Sequence, residues 1–297
     1  MNRCCTFRAA VSQPLPRITK SEISMPTTND YVLGTHDAEI ARLGLQHQVW
    51  RPHMLDAWIR AGMTRGSKVI DVGAGPGYAT FDAAEIVGPS GEVVAVERSP
   101  HFLSFAKREI DRRGACCARL VECDLVDGTL ELSGFDLAWC RWVASFVSSP
   151  VQLVENIFAS LRVGGKAVLH EYQSYATWRV IPTSPQIERF VGEVMASWRA
   201  SGGEPDIVPT VIPLMLEAGF KLIEIRPLIF AVHPSHLTWQ WPAAFAASNS
   251  QRLVDLGRVS QEWADAVQSE FNILAANPNA ILVTPMVMEI IAEKVRA

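Results

Sequence analysis

Short apolar runs alternate with amphipathic stretches along the middle of the chain. The apolar runs predict strands at 69–72, 93–97, 119–123, 135–139 and 166–172. The stretches between them have the spacing of helices with one buried face, at 77–87, 100–113 and 150–161. Such alternation favours a parallel sheet joined by right-handed crossovers. We therefore expect an α/β fold built on a doubly wound sheet.

Three segments outside this alternation, 31–60, 178–208 and 237–276, are predicted to be largely helical additions. Ligands of an open α/β sheet bind beyond the carboxyl ends of its strands. Helices that pack over that edge would form a lid, so we expect a domain at 31–297 with cap insertions near 178–208 and 237–276. Residues 1–30 are expected to be a disordered tail.

The segment 31–60 has a polar helix face. Glu39, Arg42 and Gln46 follow one another at helical spacing, as in an ordinary amphipathic helix whose charges face water. Pro52 is expected to interrupt this helix, because proline has no N–H to donate. A second helix is predicted at 53–61.

Three glycines at alternate positions follow the first predicted strand. Gly73, Gly75 and Gly77 permit positive φ and lack Cβ atoms, so a ligand can lie directly on the backbone. The next strand ends in Glu97, which a doubly wound sheet places beside this turn. A carboxylate there can accept hydrogen bonds from both hydroxyls of a ribose. The pattern indicates a site for a nucleoside-containing cofactor.

The spacing of the motif distinguishes between nucleoside cofactors. The dinucleotide fingerprint is G-x-G-x-x-G, whereas here the third glycine comes one residue early. Asp71 precedes the first glycine by two positions, and an acid there suits a cationic ligand better than a pyrophosphate. Asp-x-Gly-x-Gly-x-Gly resembles the first motif of class I S-adenosylmethionine (SAM)-dependent methyltransferases. Leu161-Arg162-Val163-Gly164-Gly165 resembles that family's turn before its fifth strand, with Val163 in place of the usual proline.

The resemblance covers about residues 31–175 and implies a fold and a cofactor site. The implied fold is a seven-stranded Rossmann-like sheet whose last strand, at 281–295, is antiparallel at the edge. The implied cofactor is SAM. Segment 31–60 resembles the ubiquinone/menaquinone-biosynthesis subgroup, in which it folds over the cofactor. The residues implied to bind SAM are Asp71, Gly73, Ala74, Gly75, Glu97, Asp124, Leu125 and Arg141.

Aromatic residues indicate the acceptor side of the site. The nine tryptophans concentrate in the added segments and in loops after strands, which suits a small, largely apolar acceptor, although ordinary packing explains most of them. The substrate candidates are Tyr31, Trp142 and Tyr172. His170, at the end of the fifth strand, is the candidate base because its ordinary pKa suits proton removal near neutrality. The alternative is a buried, hydrogen-bonded histidine.

The charge and composition of the chain limit the kinds of partner that it is expected to bind. A net charge of −4 with no long basic run argues against a nucleic-acid substrate. No run of about 18 uncharged apolar residues exists, so no membrane span is expected. The six cysteines include no C-x-x-C pair, which is typical of reduced thiols in a cytoplasmic protein and suggests no metal site. A homodimer is left open.

We therefore interpret the chain as a SAM-dependent methyltransferase. The expected acceptor is an oxygen, carbon or nitrogen atom of a small, largely apolar metabolite such as a quinone or polyketide. Two alternatives remain at this point: an NAD(P)-dependent oxidoreductase, and a SAM-binding regulatory protein without turnover.

Overall fold

Helices flank a central sheet in the computed structural model, which describes residues 36–126 and 129–296. The helices are α1 Asp37–Ala61, α2 Tyr78–Val87, α3 Pro100–Arg113, α4 Pro150–Ser160, α5 Pro185–Ala200, α6 Val208–Ala218, α7 Leu237–Asp255 and α8 Gln261–Ala276. The strands are β1 Lys68–Val72, β2 Glu92–Glu97, β3 Ala118–Glu122, β4 Phe135–Arg141, β5 Leu161–Ser174, β6 Arg179–Ile181, β7 Phe220–Leu228, β8 Ala231–Val232, β9 Ile281–Val283 and β10 Met286–Lys294. The tail at 1–30 and Tyr31 lie outside the described residues.

The central sheet has the order β3-β2-β1-β4-β5-β10-β7. Strands β1 to β5 are parallel, and β10 pairs antiparallel with β5 on one side and β7 on the other. A seven-stranded Rossmann-like sheet with an antiparallel last strand is therefore confirmed. The expected position of that strand at the edge is wrong. Val287, Ile290 and Ile291 of β10 are buried, and a strand this apolar is stabilised by pairing on both sides rather than one.

Strand β5 begins earlier than the sequence predicts. The glycine turn expected at 161–165 is an irregularity within the strand, where its register with β4 shifts between Phe135 and Leu137. A Cβ on Gly165 would lie 2.8 Å from the Phe135 carbonyl oxygen. The two backbones therefore pass too closely for a side chain at this position.

Helix α1 runs without a break through Pro52, so the predicted interruption is wrong. Proline removes one backbone hydrogen bond, but the helix also buries a row of large side chains. Trp50, Met54 and Trp58 are almost completely buried. Packing of this face outweighs the local preference, which is how tertiary structure commonly overrides propensity.

The polar face of α1 is buried rather than exposed to water. Arg42 Nη2 donates to Glu39 Oε1 at 2.6 Å, and Arg42 Nη1 donates to Gln46 Oε1 at 3.1 Å. Trp241 Nε1 of α7 also donates to Gln46 Oε1, at 3.0 Å. The alternative in which these charges face water is therefore wrong, and the paired groups attach α1 to α7.

A second, three-stranded sheet has the antiparallel order β6-β9-β8. With α5, α7 and α8 it surrounds an apolar cluster rich in aromatic side chains, which includes Trp178, Phe190 and Phe271. Separate apolar clusters contain side chains of the central strands, for example Ile70 in one and Val69 in the other. The cluster also includes Tyr172 of β5 and Val287 of β10, so the added segments pack directly against the central sheet.

Alanine substitutions at two helical glycines, one in α5 and one in α1, test how closely α1 is packed. No described atom lies within 4 Å of a Cβ built on Gly192 in α5, whereas one on Gly44 in α1 would lie 2.8 Å from Tyr78 Oη. Gly192→Ala should raise the free energy of unfolding by about 0.5–1 kcal/mol, because alanine loses less entropy in a helix. Gly44→Ala should not, since Tyr78 would have to leave its hydrogen bond to the Ile40 carbonyl. Urea unfolding measures both; an equal gain would contradict this packing.

Candidate functional site

The glycine turn after β1 lies against the ends of two neighbouring strands. The N–H groups of Gly73 and Ala74 both donate to the Val96 carbonyl of β2, at 2.9 and 3.0 Å. Gly73 has φ +69°, and a Cβ there would lie 2.4 Å from Val143 Cγ2, just after β4. Gly75 has φ +56°, and no described atom lies within 4 Å of its absent Cβ. Gly73 is needed for internal packing, whereas Gly75 leaves the backbone accessible to a ligand.

Glu97, at the end of β2, holds this turn through its carboxylate. Oε2 accepts from the Gly75 N–H and Oε1 accepts from the Ser99 N–H, both at 2.9 Å. Burial raises the pKa of Glu97, and these backbone donors oppose that shift. The two carboxylate oxygens have four lone pairs between them, so Glu97 can still accept a hydrogen bond from a ligand hydroxyl.

Asp71 is buried and bonds within the protein. Its Oδ2 accepts from Thr80 Oγ1 of α2 at 2.6 Å. Burial raises the pKa of Asp71 to about 6. The carboxyl therefore joins β1 to the helix that follows the glycine turn, which suits a residue that orients the turn.

Asp124 and Leu125 follow β3. Asp124 accepts from the Val126 N–H at 3.2 Å and from Arg98 Nη1 at 3.4 Å. The Leu125 carbonyl accepts from Asn156 Nδ2 of α4 at 3.0 Å. The backbone after β3 is thereby held at a defined position beside β2.

Arg141, at the end of β4, has a buried guanidinium. Its Nη1 atom has no hydrogen-bond partner among residues 36–126 and 129–296, while Nη2 lies 3.3 Å from His47 Nδ1. The ring centroids of Trp139 and Trp142 lie 5.7 and 5.3 Å from its central carbon. Burial lowers the pKa of Arg141 to about 10, so it remains charged at neutral pH. A buried cation with an unused donor suits an anionic ligand group.

Trp142 has φ +52°, a left-handed backbone that non-glycine residues rarely adopt. Its ring stacks between those of Tyr172 and Trp241, at centroid distances of 5.4 and 5.6 Å. Trp50 meets it edge-on at 5.2 Å. The structure thus brings two substrate candidates, Trp142 and Tyr172, into contact, and backbone strain of this kind is common at functional turns.

Glu171 of β5 fixes the turn that contains Trp142. It is completely buried. Its Oε1 accepts from the N–H groups of Val143 and Ala144 at 2.8 and 3.0 Å, and its Oε2 accepts from Ser145 Oγ at 3.2 Å. Burial raises the pKa of Glu171 to about 7.

His170 is completely buried, on a strand whose next residue is Glu171. Its Nε2 atom lies 3.0 Å from Glu289 Oε2 of β10, and the Trp139 ring meets it edge-on at 4.8 Å. Glu289 also accepts a hydrogen bond from Arg60 of α1. Burial lowers the pKa of His170. This is the geometry of a buried, hydrogen-bonded histidine, so we do not propose His170 as a base.

The sequence places Glu171 at the end of the fifth strand but does not predict its role in fixing the turn, and it gives no indication of two further buried polar side chains, His47 and Asn156. Glu171 follows the apolar run 167–169 and His170 in β5, and an acid in a buried strand is a signal that could have indicated this role. His47 and Asn156 give no such signal, because each occupies an ordinary polar position of an amphipathic helix.

Residues 36–126 and 129–296 contain neither a membrane-spanning helix nor a metal-binding cluster. No helix there is long and apolar enough to cross a membrane. No group of three or more His, Cys, Asp or Glu side chains is placed to hold a metal ion.

Comparison with known proteins identifies the family. A family model described as a methyltransferase domain matches residues 63–197, which contain β1 to β5. A protein-L-isoaspartate O-methyltransferase from Methanothrix thermoacetophila is 34% identical over 183 residues, covering 60% of this chain and 76% of that protein. The chain belongs to the class I SAM-dependent methyltransferases. The expected enzyme class and the cofactor SAM are thereby confirmed.

Two further proteins similar to this methyltransferase differ in their acceptors. A demethylmenaquinone methyltransferase from Lactococcus lactis is 26% identical over 194 residues, covering 61% of this chain and 75% of that protein. The solved structure of geranyl diphosphate C-methyltransferase from Streptomyces coelicolor, in complex with Mg²⁺, geranyl diphosphate and S-adenosyl-L-homocysteine, is similar with a TM-score of 0.53 at 15% identity. That similarity covers 88% of this chain and 86% of the other, and it concerns the fold alone.

Glu171 should make the stability of the methyltransferase depend on pH. Its pKa is about 7 in the folded protein against an ordinary value of 4.5, so between these values the folded state binds more protons than the unfolded state. The contribution of Glu171 to the free energy of unfolding should therefore decrease as the pH rises from about 5 to about 8. Glu171→Gln should reduce this dependence, since the amide stays neutral and its oxygen can accept both backbone N–H groups.

Chemical denaturation of wild type and Glu171→Gln across that pH range measures the effect. Glu155→Gln, the same change at an exposed position of α4, is the control and should leave the dependence as in wild type. A dependence that persists undiminished in Glu171→Gln would contradict the assignment to Glu171.

Proposed function

We propose that this methyltransferase methylates an oxygen, carbon or nitrogen atom of a small, largely apolar metabolite of the quinone or polyketide kind. The observation that carries the proposal is the group of rings around Trp142, in which Tyr172 and Trp241 stack on the indole and Trp50 meets it edge-on. An apolar wall of aromatic rings suits an apolar acceptor. The similarity to demethylmenaquinone methyltransferases supports a quinone-like acceptor.

We assign the parts of SAM to the groups around the glycine turn. We assign the ribose hydroxyls to Glu97, whose carboxylate has spare lone pairs. We assign the carboxylate of SAM to Arg141, whose Nη1 has no partner among the described residues. The remaining assignments are the methionine part to the backbone of Gly73, Ala74 and Gly75, with Asp71 orienting that backbone, and the adenine to Asp124 and the Leu125 backbone.

Methyl transfer requires mainly that the protein align the acceptor atom with the methyl group of SAM. SAM, when bound, supplies a methyl group that its sulfonium already activates. Displacement at that methyl is in line, so the protein has to hold the acceptor atom behind it and exclude water. The buried rings of Trp142 and Trp241 would exclude water on the acceptor side. No residue is proposed here as a general base.

A panel of acceptors tests the proposed function. Conversion of SAM to S-adenosylhomocysteine is measured with hydroquinones, polyphenols and other aromatic acceptors, and with an isoaspartyl peptide as the contrasting acceptor. We expect turnover with an apolar aromatic acceptor and none with the peptide. Turnover with the peptide alone would overturn the proposed acceptor class while leaving the methyltransferase assignment intact.

The ribose assignment predicts the effect of changing Glu97. Glu97→Ala should weaken S-adenosylhomocysteine binding by about ten- to a hundredfold, because charge-assisted hydrogen bonds are lost. Glu97→Gln should be nearly as damaging, since both carboxylate oxygens accept backbone N–H groups and one would be replaced by a donor. Isothermal titration measures the affinities. Glu92→Gln, at the half-buried start of the same strand, is the control. Unchanged affinity in Glu97→Ala would refute the assignment.

The carboxylate assignment predicts a selective effect of changing Arg141. Arg141→Ala should weaken S-adenosylhomocysteine binding by about tenfold or more, and Arg141→Lys should restore it only partly because the fork of donors is lost. 5′-Methylthioadenosine, which lacks the amino-acid part, should bind all three proteins alike. Lost turnover with unchanged affinity would instead place Arg141 on the acceptor side.

A further inference from the structure

Four charged or titratable side chains form a chain of contacts that ends at Arg141. Arg51 Nε of α1 donates to Asp82 Oδ2 of α2 at 2.8 Å. The same oxygen lies 3.0 Å from His47 Nε2, and His47 Nδ1 lies 3.3 Å from Arg141 Nη2. His47 is buried, and so is most of Asp82. None of these contacts involves the glycine turn, and the assignment of the cofactor does not use His47 or Asp82.

The contacts determine which nitrogen of His47 carries the proton. A guanidinium has donors only, so Nδ1 must be the acceptor for Arg141 Nη2. Nε2 then carries the hydrogen and donates it to Asp82, which accepts from Arg51 as well. Asp82 therefore selects the one neutral tautomer of His47 that can bond to Arg141.

The imidazole is held on its other sides by the packing of α1 against α2. The Tyr78 ring of α2 stacks on His47 with a centroid distance of 5.6 Å and an interplanar angle of 23°. Tyr78 Oη donates to the Ile40 carbonyl of α1 at 3.1 Å. Helix α2 starts directly after the glycine turn, so the elements that hold His47 also border the cofactor site.

We propose that His47, held by Asp82, is a positioning residue. It directs Nη1 of Arg141, which has no hydrogen-bond partner among the described residues, toward the carboxylate of the amino-acid part of the cofactor. The inference rests on the proposed role of Arg141. Hydrogen bonding of Nη2 to His47 fixes the rotation of the guanidinium plane. The two indoles beside Arg141 offer faces but no acceptor lone pairs, so they do not fix that rotation. His47 acts through Arg141 and touches no reacting atom.

The contact between His47 and Arg141 should depend on pH, because His47 can be protonated. The groups that face His47 are Arg141 of β4, Asp82 and Tyr78 of α2, and Arg51 of α1, while Asp71 of β1 acts on Arg141. Burial lowers the pKa of His47 below its ordinary 6.5, and its contact with Asp82 opposes this shift. Protonation would place an Nδ1–H donor against the Arg141 donors. Affinity for S-adenosylhomocysteine should therefore decrease as the pH falls through the pKa of His47.

Two amide substitutions separate the contacts of His47. The oxygen of Asn can take the place of Nδ1 and accept from Arg141, whereas the amide of Gln reaches the place of Nε2 and can donate to Asp82 only. His47→Gln should weaken S-adenosylhomocysteine binding about tenfold, and His47→Asn should stay within about threefold of wild type. Affinity for 5′-methylthioadenosine should be unchanged in both variants. His101→Asn, at an exposed histidine that contacts Asp37, is the control and should bind both ligands like wild type.

Isothermal titration at several pH values provides the measurements. In wild type the affinity for S-adenosylhomocysteine should fall on acidification, and in His47→Asn this acid limb should be absent. In an Arg141→Ala background, His47→Gln should add little, since the two changes affect one interaction. The proposal is overturned if His47→Gln binds S-adenosylhomocysteine like wild type, or if it loses 5′-methylthioadenosine equally, which would indicate a merely structural role. Wild type that binds neither ligand would instead refute the cofactor assignment itself.

Discussion

The burial of a full positive charge at the end of β4 constrains everything around it. An isolated cation in a protein interior costs several kcal/mol unless neighbouring groups compensate it. Around Arg141 the compensation is spread over Asp71 and Asp82, which attract it without direct contact, and over the indole faces of Trp139 and Trp142. Because these groups belong to β1, α2 and β4, the charge is tolerated only when all three elements are assembled.

Two carboxylates, half-buried Glu97 and fully buried Glu171, each fix a turn near that charge in the same physical way. Glu97 accepts the N–H groups of Gly75 and Ser99, Glu171 accepts those of Val143 and Ala144, and burial raises the pKa of both carboxyls. Main-chain donors stabilise the ionised form without adding another charge. The two turns meet where Val143 approaches Gly73, so a change in one turn is transmitted to the other by contact.

The sequence predicts the part of the fold in which local pattern decides the structure. The strands from β1 to β4, the apolar part of β5, the glycine turn and the acid at the end of β2 all follow from neighbouring residues. The predictions that are wrong concern features that depend on contacts between residues far apart in the sequence. Pro52 is tolerated because α1 is packed along its length, and the polar face of α1 is buried because Gln46 meets Trp241, far away in sequence. No pattern within one segment contains that information.

The interior position of β10 has a consequence for how the molecule is made. Strand β5 receives its second neighbour only when residues 286–294 have been synthesised, after the whole of 175–285. Until then the apolar edge of β5 has unpaired N–H and C=O groups on one side, which is the kind of edge that pairs with other chains. Pairing across so long an intervening segment also has a large loop-closure entropy and is slow. The half-finished sheet, rather than the finished enzyme, is therefore the form in which this chain is most exposed to aggregation and most dependent on chaperones.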